Sequence, residues 1–328
     1  MKFLSTILLF WSVFSLSYAQ GSIPPSFFEG KSVVLVSVDP SARPVYDWQT
    51  LADSIHPSLI EAGGDPVGYY ELEQVALSEA TLEGFATGLA QRQVANIIFL
   101  TRQRNQTQIH ISPFSRDAKL IASTSIYGIS GKDWKEAGEL IANSGKSTQS
   151  KNLLTLDVAE FPSFAAGENK VTIQEFLPRN PLNLDVFKLG IPLEGSSAET
   201  GMVTYFRYDM LGKSAETILA EQARQKTEIQ EIINSVYPHQ VEWLTEAKSN
   251  QELIRDRVQF ILVKVEGRQA DLMKSMGLAP SEGEAGSQTV VKYYIKLLVR
   301  DEFYIGPEWD AHPDWRISLR QFLNNLKK

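Results

Sequence analysis

The feature of this sequence that most constrains its fold is one order of strand and helix patterns that occurs twice. In each half of the 328 residues, the hydrophobic periodicity gives the order β-α-β-α-β-β-β-α. A chain that alternates strand and helix patterns in this way folds with helices packed on a sheet. The sequence therefore predicts an α/β protein, with α+β as the alternative, built from two similar modules that an irregular middle segment joins.

The first module is predicted over residues 20–150. Its first strand is the apolar run at 33–36, which is typical of a strand that is covered on both faces. Asp47 is the predicted N-cap of the helix that follows. The remaining patterns are strand, helix, three strands and helix, at 67–72, 78–94, 96–101, 108–112, 120–127 and 133–141.

The second module is predicted over residues 201–328. Its patterns begin with strand, helix, strand, helix and strand, at 202–208, 214–236, 240–244, 250–258 and 259–265. An alternating strand at 290–299 then places Lys292 and Lys296 on the face opposite its apolar residues, and we expect that face to meet water. A short strand at 303–305 and a helix that begins after Asp314 complete the order.

Residues 151–200 have no regular pattern of this kind. Four prolines interrupt them, and the runs at 153–156 and 184–187 are strand-like within mostly irregular chain. The segment is too apolar for a free linker, so we predict that it connects the modules and packs across both.

Residues 1–19 have the features of a secretory signal peptide. Lys2 supplies a positive charge, a short apolar run follows, and Ser17 and Ala19 are small residues at the −3 and −1 positions of a cleavage site. Cleavage after Ala19 leaves no cysteine for a lipid anchor, and no later stretch approaches about 18 uninterrupted apolar residues. We therefore expect the protein to be periplasmic or extracellular, with no membrane span of its own.

Composition narrows the possible functions. The chain contains no cysteine, which excludes disulfides, thiolate zinc sites, iron–sulfur clusters and a cysteine nucleophile. Its formal net charge of −7 argues against a nucleic-acid partner, because proteins that bind nucleic acids carry a basic surplus. An exported chain without cysteine depends on its hydrophobic core alone for stability.

Six patterns of the first module carry a resemblance to known proteins, at 33–36, 48–59, 96–101, 108–112, 120–127 and 133–141. In this order, and after a signal peptide, they resemble the small α/β module at the N-terminus of TolB and in the periplasmic part of CsgG-type secretion proteins. The chain departs from the first family in lacking its β-propeller, and from the second in lacking membrane-spanning hairpins and a lipid anchor. The resemblance implies an envelope interaction module without catalysis.

Gly-Lys-Ser occurs three times, and its third copy, Gly212, Lys213 and Ser214, lies between a predicted strand and a predicted helix. That is the context of a phosphate-binding loop, whose glycines let backbone N–H groups approach the phosphates. Arg207 replaces the first glycine of such a loop. Either these residues bind a nucleotide, or Gly212 is a turn glycine and Ser214 caps the next helix.

The acidic segment at 308–314 is the best candidate for a metal site. Asp310, His312 and Asp314 alternate, so an extended chain would point all three side chains the same way. The alternative is an exposed turn in which Asp314 caps the last helix.

No motif of known catalytic machinery is present. The sequence contains none of the patterns H-E-x-x-H, G-x-S-x-G and S-x-x-K. It therefore favours an exported, non-catalytic interaction or assembly protein of the bacterial envelope, with a protein partner and no cofactor. The alternatives are a nucleotide-binding protein or NTPase that uses the loop at 207–214, and a divalent-metal-binding protein that uses residues 310–314.

Overall fold

The computed structural model describes residues 22–39, 42–44, 46–76, 79–122, 126–162, 177, 179–180, 182–193, 215–245, 248, 250–281, 283–300 and 302–326. The predicted signal peptide, the predicted strand at 202–208 and the Gly-Lys-Ser sequence at 212–214 lie outside these residues. None of the described helices combines the length and the apolar character needed to cross a membrane.

The first module begins with a short 3₁₀ helix, Pro25–Phe28. Its strands and helices follow the predicted order, with one additional single-turn helix. They are β1 (Lys31–Val38), α1 (Trp48–Glu61), β2 (Asp65–Glu71), α2 (Leu72–Val75), α3 (Glu79–Gln91), β3 (Asn96–Arg102), β4 (Thr107–Pro113), β5 (Tyr127–Gly131) and α4 (Trp134–Gly145).

The first sheet has the strand order β2-β1-β3-β4-β5. β1 is parallel to β2 and β3, whereas β4 and β5 are antiparallel to their neighbours. Helices α1 and α4 cover one face and α3 covers the other, so Val34 and Val36 pack in one core and Val33 and Leu35 in a second. All four residues are buried, as the uninterrupted apolar run predicts.

The second module repeats this sequence of elements and adds two short helices between its third and fourth strands. Its elements are β6 (Lys188–Pro192), α5 (Ala215–Val236), β7 (Val241–Leu244), α6 (Asn250–Arg255), β8 (Val258–Arg268), α7 (Gln269–Ser275), α8 (Gly283–Ser287), β9 (Thr289–Leu297), β10 (Glu302–Tyr304) and α9 (Trp315–Asn325).

The second sheet has the order β10-β9-β8-β6-β7, which is the order of the first sheet when each strand is replaced by its counterpart. β6 is parallel to β7 and β8, and β9 and β10 are antiparallel to their neighbours. The prediction of an α/β fold with two similar modules is therefore confirmed.

Three helices begin in the same way, with an aspartate N-cap followed by tryptophan. The side chain of Asp47 accepts a hydrogen bond from Thr50 N, that of Asp133 from Lys135 N and Glu136 N, and that of Asp314 from Arg316 N. Each carboxylate satisfies backbone donors that the helix itself leaves without a partner. The predicted helix starts are confirmed at all three positions.

The second sheet begins earlier in the chain than the sequence indicates. β6 lies within residues 151–200, the predicted connecting segment, whereas the strand-like run at 184–187 forms a turn. Gly190 and Pro192 make this stretch a poor strand pattern. The close approach of β8 explains the glycine, because a Cβ atom at Gly190 would lie 2.9 Å from Cγ1 of Val258.

β5 begins where the predicted strand at 120–127 ends. Residues 114–121 instead form a turn, which a bridge between Phe114 and Ile121 closes. Leu120 is fully buried in this turn and has a φ of 58°. Its apolar character therefore reflects burial of a turn rather than a strand.

The expectation that one face of β9 meets water is wrong. Lys292 and Lys296 are 0% and 6% exposed. One face of β9 packs against α5 and α9 and the other against α7, so both faces are covered. The alternation of residue types in β9 does not reveal that a helix covers the second face.

A segment that we call the strap, residues 151–162, lies against the first module without forming a strand. The N–H of Lys151 donates to Phe28 O at 2.7 Å, and Glu160 O accepts from Tyr69 N at 2.9 Å. Phe161 packs on the core of the first module, whereas Leu184, further along the chain, packs in the core of the second. The described parts of the predicted connecting segment thus contact one module each.

Candidate functional site

A pocket of about 170 Å³ lies at the carboxyl end of β2 and is partly open to solvent. Its position is the one at which α/β sheets hold ligands, because the loops that follow parallel strands diverge there. Side chains from four elements line it, among them Trp48 and Gln49 of α1, Tyr69 and Glu71 of β2, Gln74 of α2 and Phe161 of the strap.

Glu71 is the charged residue of this pocket. Its side chain is 12% exposed, and Oε2 accepts a hydrogen bond of 2.7 Å from Nη2 of Arg268, the last residue of β8. Burial raises the pKa of Glu71 to about 7, with Arg268 acting in the opposite direction and Glu73 and Asp271 adding to the increase. The carboxyl group therefore titrates near neutral pH.

Among the described residues, two carboxyl groups contact the guanidinium of Arg268 where the two modules meet. Arg268 also donates through Nε to Oδ2 of Asp271 at 2.7 Å. Glu73 lies on α2 and accepts a hydrogen bond of 2.5 Å from the hydroxyl of Ser37. With Glu71 ionised, the two carboxylates that pair with Arg268 outnumber its single positive charge.

The aromatic wall of the pocket is held in place by packing and by one hydrogen-bond chain. The ring of Phe161 lies edge-on to Trp48 at 5.4 Å and tilted to Tyr69 at 6.0 Å between centroids. The hydroxyl of Tyr69 lies 2.7 Å from Nδ1 of His56, whose Nε2 lies 2.9 Å from Leu156 O. A carbonyl oxygen can only accept, so Nε2 donates, and a neutral imidazole then accepts from Tyr69 through Nδ1.

The strap exposes apolar side chains although its backbone is fixed. Leu153, Leu154 and Val158 are 88%, 93% and 64% exposed. The hydrogen bonds of Lys151, Leu156 and Glu160 described above hold the backbone on both sides of these residues. Several exposed apolar side chains within one short, hydrogen-bonded segment favour an interaction surface.

The strap is also acidic. Asp157 and Glu160 are exposed, and Asp53 of α1 is exposed one helical turn before His56, which contacts the strap. Lys151, the basic residue of this segment, forms an ion pair of 2.8 Å with Glu29. The surface around the strap thus combines apolar side chains with negative charge.

The predicted metal ligand Asp310 forms a buried ion pair. Its Oδ1 lies 2.5 Å from Nζ of Lys292, which also donates to Ile305 O at 2.6 Å, and its Oδ2 accepts from Asn325 at 3.2 Å. Burial lowers the pKa of Lys292 and raises that of Asp310, while the charge of each partner opposes the shift of the other. The pair joins β9 to the loop before α9.

The other two predicted ligands also have structural partners. The backbone of His312 pairs with that of Val291, and Nδ1 of His312 accepts from Asp314 N at 2.9 Å. The carboxylate of Asp314 caps α9 by accepting from Arg316 N at 2.8 Å. Within the ranges that the structure describes, no group of three or more histidine, aspartate and glutamate side chains is placed to hold a metal ion.

The predicted nucleotide-binding loop cannot be compared with the structure. Gly212, Lys213 and Ser214 lie outside the described residues, and α5 begins at Ala215. Nucleotide binding at these residues stays a prediction, as does the turn-and-cap alternative.

The pocket and the strap were not among the predicted sites. The tryptophan after each N-cap is visible in the sequence, and so is a glutamate at the end of the second strand. Only the tertiary structure brings them together, since Phe161 and Arg268 come from distant parts of the chain.

Comparison of the chain with protein-family models, with curated proteins and with solved structures finds no match in any of the three.

Proposed function

We propose that this chain is an exported two-module α/β protein of the bacterial envelope that acts by binding another protein rather than by catalysis. The observation that carries the proposal is the strap, whose backbone is hydrogen-bonded to the first module while Leu153, Leu154 and Val158 are largely exposed. Burying such side chains against a partner removes apolar surface from water, at about 25 cal/mol per Å². An already fixed backbone loses little further conformational entropy on binding.

The charge of the strap supports a protein partner over a lipid surface. Asp157 and Glu160 lie among the apolar side chains, and the whole chain has a formal net charge of −7. Bilayer surfaces that carry anionic lipids attract basic segments and repel acidic ones. A protein surface with apolar and basic groups fits the strap better.

The envelope location rests on the sequence of residues 1–19. Their charge, short apolar run and cleavage pattern support export and removal of the segment. We expect the protein from osmotically released cell fractions to begin at Gln20. Recovery of the full-length chain from the cytoplasmic fraction would contradict this part of the proposal.

Co-purification from the native envelope tests the function. We expect tagged protein at its native level to retain one defined partner, and the variant Leu154→Ser to lose it. Val299→Ser is the matched control, because Val299 is 62% exposed on the second module. Equal recovery of the partner with both variants, or turnover of a substrate by the purified protein, would contradict the proposal.

A further inference from the structure

We propose that the pocket beside Glu71 is the anchor site of the strap surface and that it binds an arginine side chain of the partner protein. The inference rests on the proposed function, because it names the chemistry of the partner that the strap contacts. It follows from the charge of the pocket, its aromatic wall and its continuity with the strap.

The charge of the site favours a cation. In the described part of the chain, the charged groups that act on Glu71 are Arg268 of β8, Asp271 of α7 and Glu73 of α2. The guanidinium of Arg268 is shared by the carboxylates of Glu71 and Asp271, which leaves room for a second positive charge. A bound guanidinium would favour the ionised form of Glu71 and release its proton.

Glu71 has an oxygen available for such a ligand. Arg268 occupies Oε2, and within the described part of the chain no hydrogen bond engages Oε1. A carboxylate can accept hydrogen bonds through both oxygens. Gln49 and Gln74 line the same pocket, and their amide oxygens are further acceptors for the five N–H groups of an arginine side chain.

The aromatic wall favours arginine over lysine. Trp48 and Phe161 are only partly buried and form one side of the pocket. A planar guanidinium stacks on aromatic rings and pairs with a carboxylate in the same plane, which a compact ammonium group cannot do. The pocket offers both kinds of contact within one small volume.

The pocket and the strap form one continuous surface. Phe161 and Pro162 end the strap and line the pocket, and Glu160 bonds to Tyr69, another lining residue. A partner segment that places arginine in the pocket therefore continues along Asp157 and the exposed leucines. The acidic character of this surface opposes self-association of two copies of the chain.

Calorimetric titration with two small probes tests the pocket. We expect N-acetyl-arginine amide to bind and N-acetyl-citrulline amide, its neutral isostere, to bind at least about tenfold more weakly. The affinity for the arginine probe should rise as the pH increases through about 7, where Glu71 ionises. Equal affinity for both probes, or no binding of either, would overturn the proposal.

Two variants of an exposed residue keep the test independent of folding. Gln49 is exposed in the first turn of α1, so neither Gln49→Lys nor Gln49→Glu disturbs the core. We expect the lysine variant to abolish arginine binding and the glutamate variant to strengthen it. Glu242→Gln removes a carboxylate that pairs with Lys188 in the second module and should leave binding unchanged.

A peptide probe distinguishes an arginine of a protein from a free cation. A synthetic peptide with arginine flanked by leucines should bind more tightly than the arginine amide, and Leu154→Ser should remove that advantage without affecting the amide. A peptide no tighter than the amide would mean that the pocket takes a small free cation and would overturn the docking proposal. Binding of the protein to phosphatidylglycerol vesicles in place of the peptide would overturn it as well.

The two proposals can fail separately. Loss of the native partner in Leu154→Ser, together with no affinity for arginine in the wild type, would leave the interaction function standing and reject the anchor site. Arginine binding without any partner that depends on the strap would reject the proposed function.

Discussion

The two modules share one strand order and one set of strand directions, but they place their polar groups differently. In the first module, β2 ends in Glu71 and borders the pocket. Its counterpart β7 ends in Leu244, which is buried in an apolar cluster. The main buried polar group of the second module is instead the pair of Lys292 and Asp310. What repeats is therefore the backbone order, whereas the polar chemistry is particular to each module.

The connection between the third and fourth strands differs between the modules, and the one in the second module contributes to the pocket of the first. In the first module, residues 103–106 join β3 to β4, whereas helices α7 and α8 separate β8 from β9. The longer connection supplies Asp271 and follows Arg268, which contacts Glu71. An addition to the second module thus completes the electrostatic environment of the pocket in the first.

The largest expected effect concerns the buried ion pair. Lys292→Met leaves the carboxylate of Asp310 buried without its cation, so we expect a loss of about 3–5 kcal/mol in the free energy of unfolding. Lys188→Met is the control, because its pair with Glu242 is about one-third exposed and worth at most about 1 kcal/mol. Urea unfolding measures both, and a similar small loss in the two variants would show that the pair does not stabilise the second module.

The pocket should make stability depend on pH. Because the pKa of Glu71 rises from 4.5 to about 7 on folding, the folded chain binds the proton more tightly, and this stabilisation is full below pH 4.5 and lost as the pH rises through about 7. Glu71→Gln retains an acceptor for Arg268 and should remove a change on the order of 3 kcal/mol across this range. Urea unfolding at a series of pH values compares the two proteins, and parallel curves would refute the expectation.

The helix caps should be equivalent in the two modules. Asp47→Ala and Asp314→Ala each remove a side-chain acceptor at a helix start, and each should lower stability by about 1 kcal/mol. Thermal unfolding of the two variants provides the measurement. A much larger loss for Asp314 would show that its carboxylate, which also lies 4.0 Å from Nη1 of Arg316, supports more than the helix cap.

Replacing an exposed leucine of the strap should hardly change the stability of the protein. Leu154 is 93% exposed, so Leu154→Ser should change the free energy of unfolding by less than about 0.5 kcal/mol. Leu323 is fully buried in the core of the second module, and Leu323→Ala should lower the free energy of unfolding by about 2–5 kcal/mol. Chemical denaturation measures both variants. A loss for Leu154→Ser that approached the loss for Leu323→Ala would show that the strap contributes to folding.

Local patterns predicted most of the fold. β1, α1 and β3 have strong periodicity, and the aspartate caps mark the starts of α1, α4 and α9. β6 was missed because Gly190, required by the close approach of β8, weakens its strand pattern. The burial of Lys292 was missed because a charged residue indicates a solvated face unless its partner is known, and Asp310 is recognisable as that partner only in the folded chain.

The pocket depends on contacts that no local pattern encodes. Glu71 and Arg268 are 197 residues apart, and Phe161 follows a segment without regular structure. The apolar character of residues 151–200 predicts packing, and the strap is the first part of that segment. Its backbone does pack on the first module, but its leucines do not, because the hydrogen bonds of Leu156 O and Glu160 O fix the chain at the surface.

Site-specific photo-crosslinking in intact cells tests most directly whether the interaction surface lies on the strap. A photoreactive amino acid at position 154 is compared with the same residue at position 299, since Leu154 and Val299 are both exposed, on different modules. We predict one discrete adduct with a second protein from position 154 and none from position 299. Identical adducts from both positions, or no adduct from position 154 at the native expression level, would contradict the assignment of the interaction surface to the strap.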